Sequence, residues 1–171
     1  MKIFSKGEIW AYPTDTSFGL GVRADDEGTL ERLAILKGRT SKQYFSLMVR
    51  DLEMLKEFAE VPVGFQADFF MEEPRTAILK PTFLLPVSKF WPKQSVAFRV
   101  ATIPEVSEQI DYPITATSAN LTGQEPVFDS YKVTEIFGDQ VKIFSGIEVL
   151  EKKEASEIWD FTKEGIKQRV R

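Results

Sequence analysis

The sequence predicts a single α/β domain. Its 171 residues are the size of one domain and can bury a sizeable core without metals or disulfides. Short β-prone runs alternate with amphipathic segments that open on aspartate, the pattern of strands and capped helices. Two apolar runs switch abruptly to small hydroxyl and amide residues, Tyr12 to Gly21 and Thr115 to Gly123. In an α/β sheet, such strand ends are where ligands bind.

Taken in order, Glu8 to Tyr12 reads as the first strand, ended by Pro13, and Phe18 to Val22 as the second. Asp25 and Asp26 can cap a helix running to Lys37, with Leu30, Leu33, Ala34 and Lys37 on its inner stripe. Phe45 to Val49 is a strand, and Asp51 caps a helix with Leu52, Leu55, Phe58 and Ala59 inward, closed by Pro62. A short helix is expected over Val63 to Phe70, a strand over Thr76 to Lys80 and a second extended piece at Phe83 to Leu85. Ser95 to Val100 is a β-prone run carrying one arginine, and Pro104 opens a helix through Ile110. Tyr112 to Ile114 enters the core as a short strand. Asp129 caps a helix with Val133, Ile136 and Phe137 inward and Gly138 as its stop. Val141 to Phe144, Ile158 to Phe161 and Ile166 to Val170 are candidate closing strands. No linker, repeat or low-complexity tract interrupts residues 1–171, so one domain is expected.

Composition excludes several chemistries. Hydrophobic residues at 43% and charged residues at 28% are ordinary for a soluble globular protein. There is no cysteine, hence no disulfide framework, thiolate metal site or cysteine nucleophile, and no histidine, the commonest general base. A net charge of −4 argues against nucleic-acid binding through bulk positive charge. No apolar run approaches a membrane span and the N-terminus is not a signal peptide, so a cytoplasmic protein without membrane contact is expected. Gly19, Gly21 and Ala24 fit a loose GxGxxA pattern, but no acidic residue ends a second strand at the required distance. A phosphate-binding Walker loop and a G-x-S-x-G elbow are both absent.

The remaining signal is cationic. The inner stripe of the first helix ends on Lys37, followed at once by Gly38, Arg39, Thr40, Ser41 and Lys42. Cations with hydroxyls at a helix end suit a polyphosphate. Arg99 interrupts an apolar strand, and a buried arginine needs a carboxylate or an anionic ligand. With Thr14 to Ser17 and Thr117 to Asn120, these segments point to a cavity for an anionic, nucleotide-sized ligand and a small polar partner.

Tyr12-Pro13-Thr14-Asp15-Thr16-Ser17-Phe18-Gly19-Leu20-Gly21, Lys37-Gly38-Arg39, Ser95 to Val100 and Thr117 to Gly123 resemble, in order and spacing, the four signatures of the YrdC/Sua5/TsaC family. Pro74-Arg75-Thr76 stands where that family has Pro-x-Thr, and the resemblance covers about residues 8–171. It implies a twisted, mixed parallel and antiparallel sheet with flanking helices around a positively charged central cavity. It also implies synthesis of L-threonylcarbamoyladenylate from L-threonine, bicarbonate (or CO2) and ATP, with release of pyrophosphate. The product serves N6-threonylcarbamoyladenosine formation in tRNA, so the downstream transfer machinery and an RNA contact are implied partners.

Carried over motif by motif, the resemblance assigns Lys37, Arg39, Ser41, Ser118 and Asn120 to ATP. Thr14, Arg99, Ser118 and Ser156 go to L-threonine, with Arg99 on its carboxylate. Mg2+ would arrive with the phosphates, and no catalytic side chain is assigned. Gln168-Arg169-Val170-Arg171 stands where the family reads Leu-Arg-Pro-Gly, so Arg169 and Arg171 compete for one ATP contact. Thr40 and Tyr44 replace the usual prolines and small residues near Lys37. The usual helix before the first strand is mostly missing, and the expected type is the short one without an extra C-terminal domain. Two other classes fit parts of the sequence. One is an RNA-binding module with a basic cavity; the other is a relative that binds a nucleotide without this catalysis or transfers a carbamoyl group.

Overall fold

The computed structural model describes residues 2–39, 43–163 and 168–169. Strands β1 (Trp10–Pro13) and β2 (Phe18–Gly21) form an antiparallel hairpin. Helix α1 (Glu27–Leu36) follows, with the Asp26 carboxylate accepting from the Thr29 amide as its N-cap. Next come β3 (Leu47–Val49), α2 (Leu52–Phe58), β4 (Ala59–Glu60), α3 (Asp68–Met71), β5 (Arg75–Pro81) and β6 (Val96–Val100). The chain continues through α4 (Pro104–Ser107), β7 (Ile114–Thr115), β8 (Thr117–Ser118), α5 (Ser130–Phe137), β9 (Lys142–Ile143), β10 (Glu157–Asp160) and β11 (Gln168–Arg169).

Pairing is mixed, as expected, but it is divided between two sheets. One has the order β8-β2-β1-β9, the other β11-β10-β5-β6-β3-β7, with β4 beside β5. Parallel pairs (β1 with β9, β3 with β6, β5 with β10) sit beside antiparallel ones in both. A single stretch stitches the sheets together: β7 pairs with β3, β8 pairs with β2, and only Ala116 lies between them. Thr115 anchors that seam. Its hydroxyl donates to the Leu20 carbonyl and accepts from the Val22 amide, while its own carbonyl accepts from the Tyr12 hydroxyl at 2.8 Å.

Most differences from the expected elements have local causes. The helix expected from Val63 begins only at Asp68. Gly64 holds a φ of +78° in a turn closed by the Phe65 amide on the Pro62 carbonyl, and this leaves Val63 fully exposed. Phe83 to Leu85 is a turn rather than a strand, because the Thr82 hydroxyl caps it by accepting from the Leu84 amide while bonding to the Glu57 carbonyl. Ala59 leaves the helix to pair with Pro81. Ile136 is exposed, since α5 buries Ser130, Val133 and Phe137 instead. The helix at Pro104 ends at Ser107. Of the strand expected over 166–170, only Gln168 and Arg169 are among the described residues.

The buried apolar residues form one continuous cluster, and Tyr12 sits fully buried within it, edge-on to Phe4. Gly21 lets that ring in. A Cβ there would lie 2.9 Å from Tyr12 Cε1 and 3.0 Å from Phe4 Cε1. Gly21→Ala is therefore expected to lose roughly 1–3 kcal/mol by urea denaturation, through overpacking. Gly28→Ala is the control: it sits exposed in α1 with nothing nearer than 3.9 Å, and should be neutral or gain up to about 1 kcal/mol. Equal effects at the two positions would show that the Tyr12 ring does not impose the requirement.

Candidate functional site

The Lys37-Gly38-Arg39 triplet is a Schellman cap. Gly38 takes a φ of +64°, the Arg39 amide bonds back to the Ala34 carbonyl, and the Gly38 amide bonds to Ile35. This cap turns Lys37 inward at the end of the apolar stripe, leaving it 2% exposed. Its ammonium donates to the carbonyls of Ser118 and Asn120, the latter at 2.7 Å, and its own carbonyl accepts from the Thr122 amide. Arg39 lies over the Phe45 ring and donates to the Tyr44 carbonyl and to the Thr117 hydroxyl, each at 2.6 Å. Both cations thus grip the strand seam from one side. Burial, with the Arg39 charge adding to it, pushes the Lys37 amine down to about 7; burial pushes Arg39 down to about 10.

A cavity of about 320 Å3 opens on the seam, lined among others by Thr14, Arg99, Ser118 and Ser156. No carboxylate is among its lining residues, of those described. The β1–β2 loop is fixed by Thr14, whose hydroxyl donates to the Ser17 carbonyl and accepts from the Thr16 and Ser17 amides. Arg99, 8% exposed, comes from β6. It donates to the Asp15 carboxylate and, at 3.4 Å, to the Thr16 hydroxyl, while its Nε is buried without a partner. Asp15 is not among the cavity's lining residues and borders a separate crevice with Pro13, Met48 and Ala101. It therefore restrains Arg99 from outside the cavity. The Ser156 and Thr76 hydroxyls meet at 2.8 Å, because β10 runs parallel to β5 with Ile158 opposite Thr76.

The structure brings Thr14, Arg99, Ser118 and Ser156 to one cavity, the four residues assigned to the smaller ligand. Lys37, Arg39 and Asn120 are not on its lining; they adjoin it through the seam backbone and Thr117. Asn120 donates from its amide nitrogen to the Leu121 and Gln124 carbonyls, which leaves Oδ1 buried with no donor. Arg169 stands apart: it pairs with Glu157 at 2.9 Å and borders an adjoining cavity. Ser41 and Arg171 lie outside the described residues. The sequence places Asp15, Thr16 and Thr117 in the segments that point to the cavity and Thr76 in the Pro-x-Thr match, but assigns none of the four a role of its own. Their partners are far along the chain, and only the hydroxyl-rich character of their segments signalled them.

No helix among the described residues is long and apolar enough to cross a membrane. No cluster of three acidic residues able to hold a metal is found among them.

Comparison with known proteins follows from this geometry. The profile of the Sua5/YciO/YrdC family, described as "Telomere recombination", matches residues 2–171. A relative named threonylcarbamoyl-AMP synthase, from Vibrio vulnificus (strain YJ016), is 30% identical over 175 residues, covering 97% of this chain and 94% of its own. The crystal structure of P. abyssi Sua5 complexed with L-threonine superposes with a TM-score of 0.81 at 27% identity. That match covers 96% of this chain, which spans half the length of the P. abyssi protein. E. coli YciO superposes with a TM-score of 0.74 at 24% identity over 96% of this chain and 84% of its own, a likeness of fold.

The buried ammonium makes stability depend on pH. Between about 7 and the ordinary lysine value of 10.5, the unfolded chain holds a proton at Lys37 that the folded chain does not. Stability contributed by this group therefore rises with pH across that window. Below it, both states are protonated and the folded state carries the full desolvation cost. The melting temperature is expected to climb from about pH 7 to about pH 9.5, and Lys37→Met should remove most of that climb. An unchanged pH profile in the variant would show that Lys37 is not the group titrating.

Proposed function

This chain belongs to the Sua5/YciO/YrdC family, and we propose that it makes L-threonylcarbamoyladenylate from L-threonine, bicarbonate or CO2, and ATP, releasing pyrophosphate. The product would feed threonylcarbamoyl transfer to tRNA adenosine. The observation that carries the reading is the cavity itself. Among the described residues it is lined by hydroxyls and cations with no carboxylate, and it holds a buried arginine. Such a lining suits a small zwitterion with a hydroxyl beside an anionic phosphate chain. The relatives named threonylcarbamoyl-AMP synthase and the threonine complex of P. abyssi Sua5 support the same substrate class.

In this reading the threonine carboxylate docks on Arg99, a cation on the cavity's lining that Asp15 holds from outside. Thr14 holds the loop in place rather than offering a spare proton, since its hydroxyl is already donated to Ser17. Ser156 and Thr76 form the hydroxyl pair nearest in character to the substrate hydroxyl. The threonine amine adds to the carbon of CO2, a proton leaves the nitrogen, and a carbamate forms. A carbamate oxygen then attacks the α-phosphorus as the bond to the bridging oxygen breaks and pyrophosphate departs. No protein nucleophile is required, which suits a chain without histidine or cysteine. Ser118 and Asn120, held by Lys37, would meet the nucleotide, with the Lys37 and Arg39 charges behind them. Mg2+ enters as part of the ATP substrate, its ligands phosphate oxygens and water.

Incubating the protein with ATP, Mg2+, bicarbonate and L-threonine tests the reading. Pyrophosphate release is expected only when threonine and bicarbonate are both present, with the adenylate detected by mass spectrometry. ATP cleavage to ADP, or none under any condition, would refute it. Arg99→Met should raise the threonine requirement at least tenfold, about 1.4 kcal/mol, while the ATP requirement stays near wild type. Equal losses for both substrates would mean that Arg99 only supports the fold.

A further inference from the structure

The cavity's charges do not match the anions it is proposed to take, and the mismatch singles out one more residue. Of the cations near it, Lys37 is bonded to the Ser118 and Asn120 carbonyls, and Arg39 to Tyr44 and Thr117. Neither lines the cavity. Arg99 does, but the Asp15 carboxylate compensates its charge from outside. Among the described residues, the remaining cation on the lining is Lys153, from the exposed segment that leads into Ser156 and β10. Glu151 and Glu154 lie close along the chain, yet no ion pair joins Lys153 to any carboxylate among the described residues. Lys153 also borders the adjoining cavity of about 340 Å3, so it stands where the two spaces meet. Glu157, which borders that second space, is already engaged by Arg75 and Arg169.

We infer that Lys153 is a substrate-contacting residue whose ammonium faces the carbamate as it forms. The inference rests on the synthase reading above. That reading requires three anionic groups in the site: the threonine carboxylate, the phosphate chain and the carbamate. Arg99 answers the first, and Lys37 and Arg39 lie behind the seam residues that answer the second. The carbamate is the group left, and among the described residues of the lining Lys153 is the cation left. When the amine nitrogen bonds to the carbon of CO2, one electron pair of a C=O bond moves onto oxygen. The proton lost from nitrogen goes to water. The new oxyanion needs a positive charge near it, and Arg99, the other described cation on the lining, is given to the threonine carboxylate. A lysine serves this need as a mobile point charge: its long stem can follow the anion from its formation to the attack on phosphorus.

The test uses the full chain with Lys153→Met and Lys153→Arg, compared with wild type. Initial rates of pyrophosphate release are measured against bicarbonate at saturating threonine and ATP, and calorimetry gives threonine binding without ATP. The methionine variant should need at least fivefold more bicarbonate, or turn over at least fivefold more slowly at saturation. Its threonine affinity and ATP requirement should stay within twofold. The arginine variant should recover most of the loss. An unaltered bicarbonate dependence and turnover in Lys153→Met would overturn the inference. So would a loss confined to threonine or ATP binding, which would give Lys153 to a different anion. The parent reading fails differently: wild type would then release no bicarbonate-dependent pyrophosphate, and both would fall together.

Discussion

A lysine ammonium nearly closed off from water, answered by carbonyls and not by a carboxylate, is the constraint the rest of the structure is arranged around. Burying an unpaired charge costs several kcal/mol even after relaxation. Lys37 meets that cost with the carbonyl dipoles of Ser118 and Asn120. Dipoles solvate a charge but do not neutralise it, so below about pH 7, where the amine keeps its proton, a positive potential persists around the seam. The seam backbone is held in turn: Thr115 ties β7 to the first sheet through its hydroxyl, and the Ala119 amide bonds to the Phe18 carbonyl. If this stretch relaxed, Lys37 would lose its partners and the two sheets would lose their shared strand. Fold and local field therefore depend on the same few hydrogen bonds.

Arg99 solves the same problem in the opposite way. It is buried in an apolar strand and given a carboxylate, Asp15, with Thr16 as a weaker second acceptor. An ion pair of this kind adds little net stability but fixes an orientation. Here the fixed orientation leaves Nε without a partner on a side chain that lines the cavity. The two cations thus divide the labour. Lys37 sits behind the seam, and Arg99 stands on the cavity's lining with its orientation held by Asp15.

Much of this was legible in the sequence, for identifiable reasons. The helix stripe from Leu30 to Lys37 put a cation on the inner face because helical spacing is strict, while the cap that Gly38 makes there had to be seen in the structure. Arg99 was visible as the one charge in an apolar run. The hydroxyl-rich strand ends marked both walls of the cavity. What could not be read was pairing between distant segments. Nothing local tells that Ile114 to Ser118 joins two sheets, that Ser156 meets Thr76 across 80 residues, or that Asp15 compensates Arg99. The errors at Val63 and Phe83 arose in turns, where one left-handed glycine or one threonine hydroxyl outweighs the apolar pattern.

The same accounting explains why a cavity without histidine, cysteine or a lining carboxylate can still host demanding chemistry. Carboxylates on the wall would neutralise the potential that Lys37 and Arg39 maintain, and would repel every anion in the proposed reaction. Leaving them out costs folding stability, because the cations then repel each other with only dipoles to offset them. The depressed Lys37 amine records that repulsion together with its burial. Binding a polyphosphate would reverse both effects: the anion supplies the missing countercharge, and the amine becomes easier to protonate. In the proposed reaction, affinity for the phosphate chain and the cost of burying Lys37 would then be two views of one electrostatic imbalance.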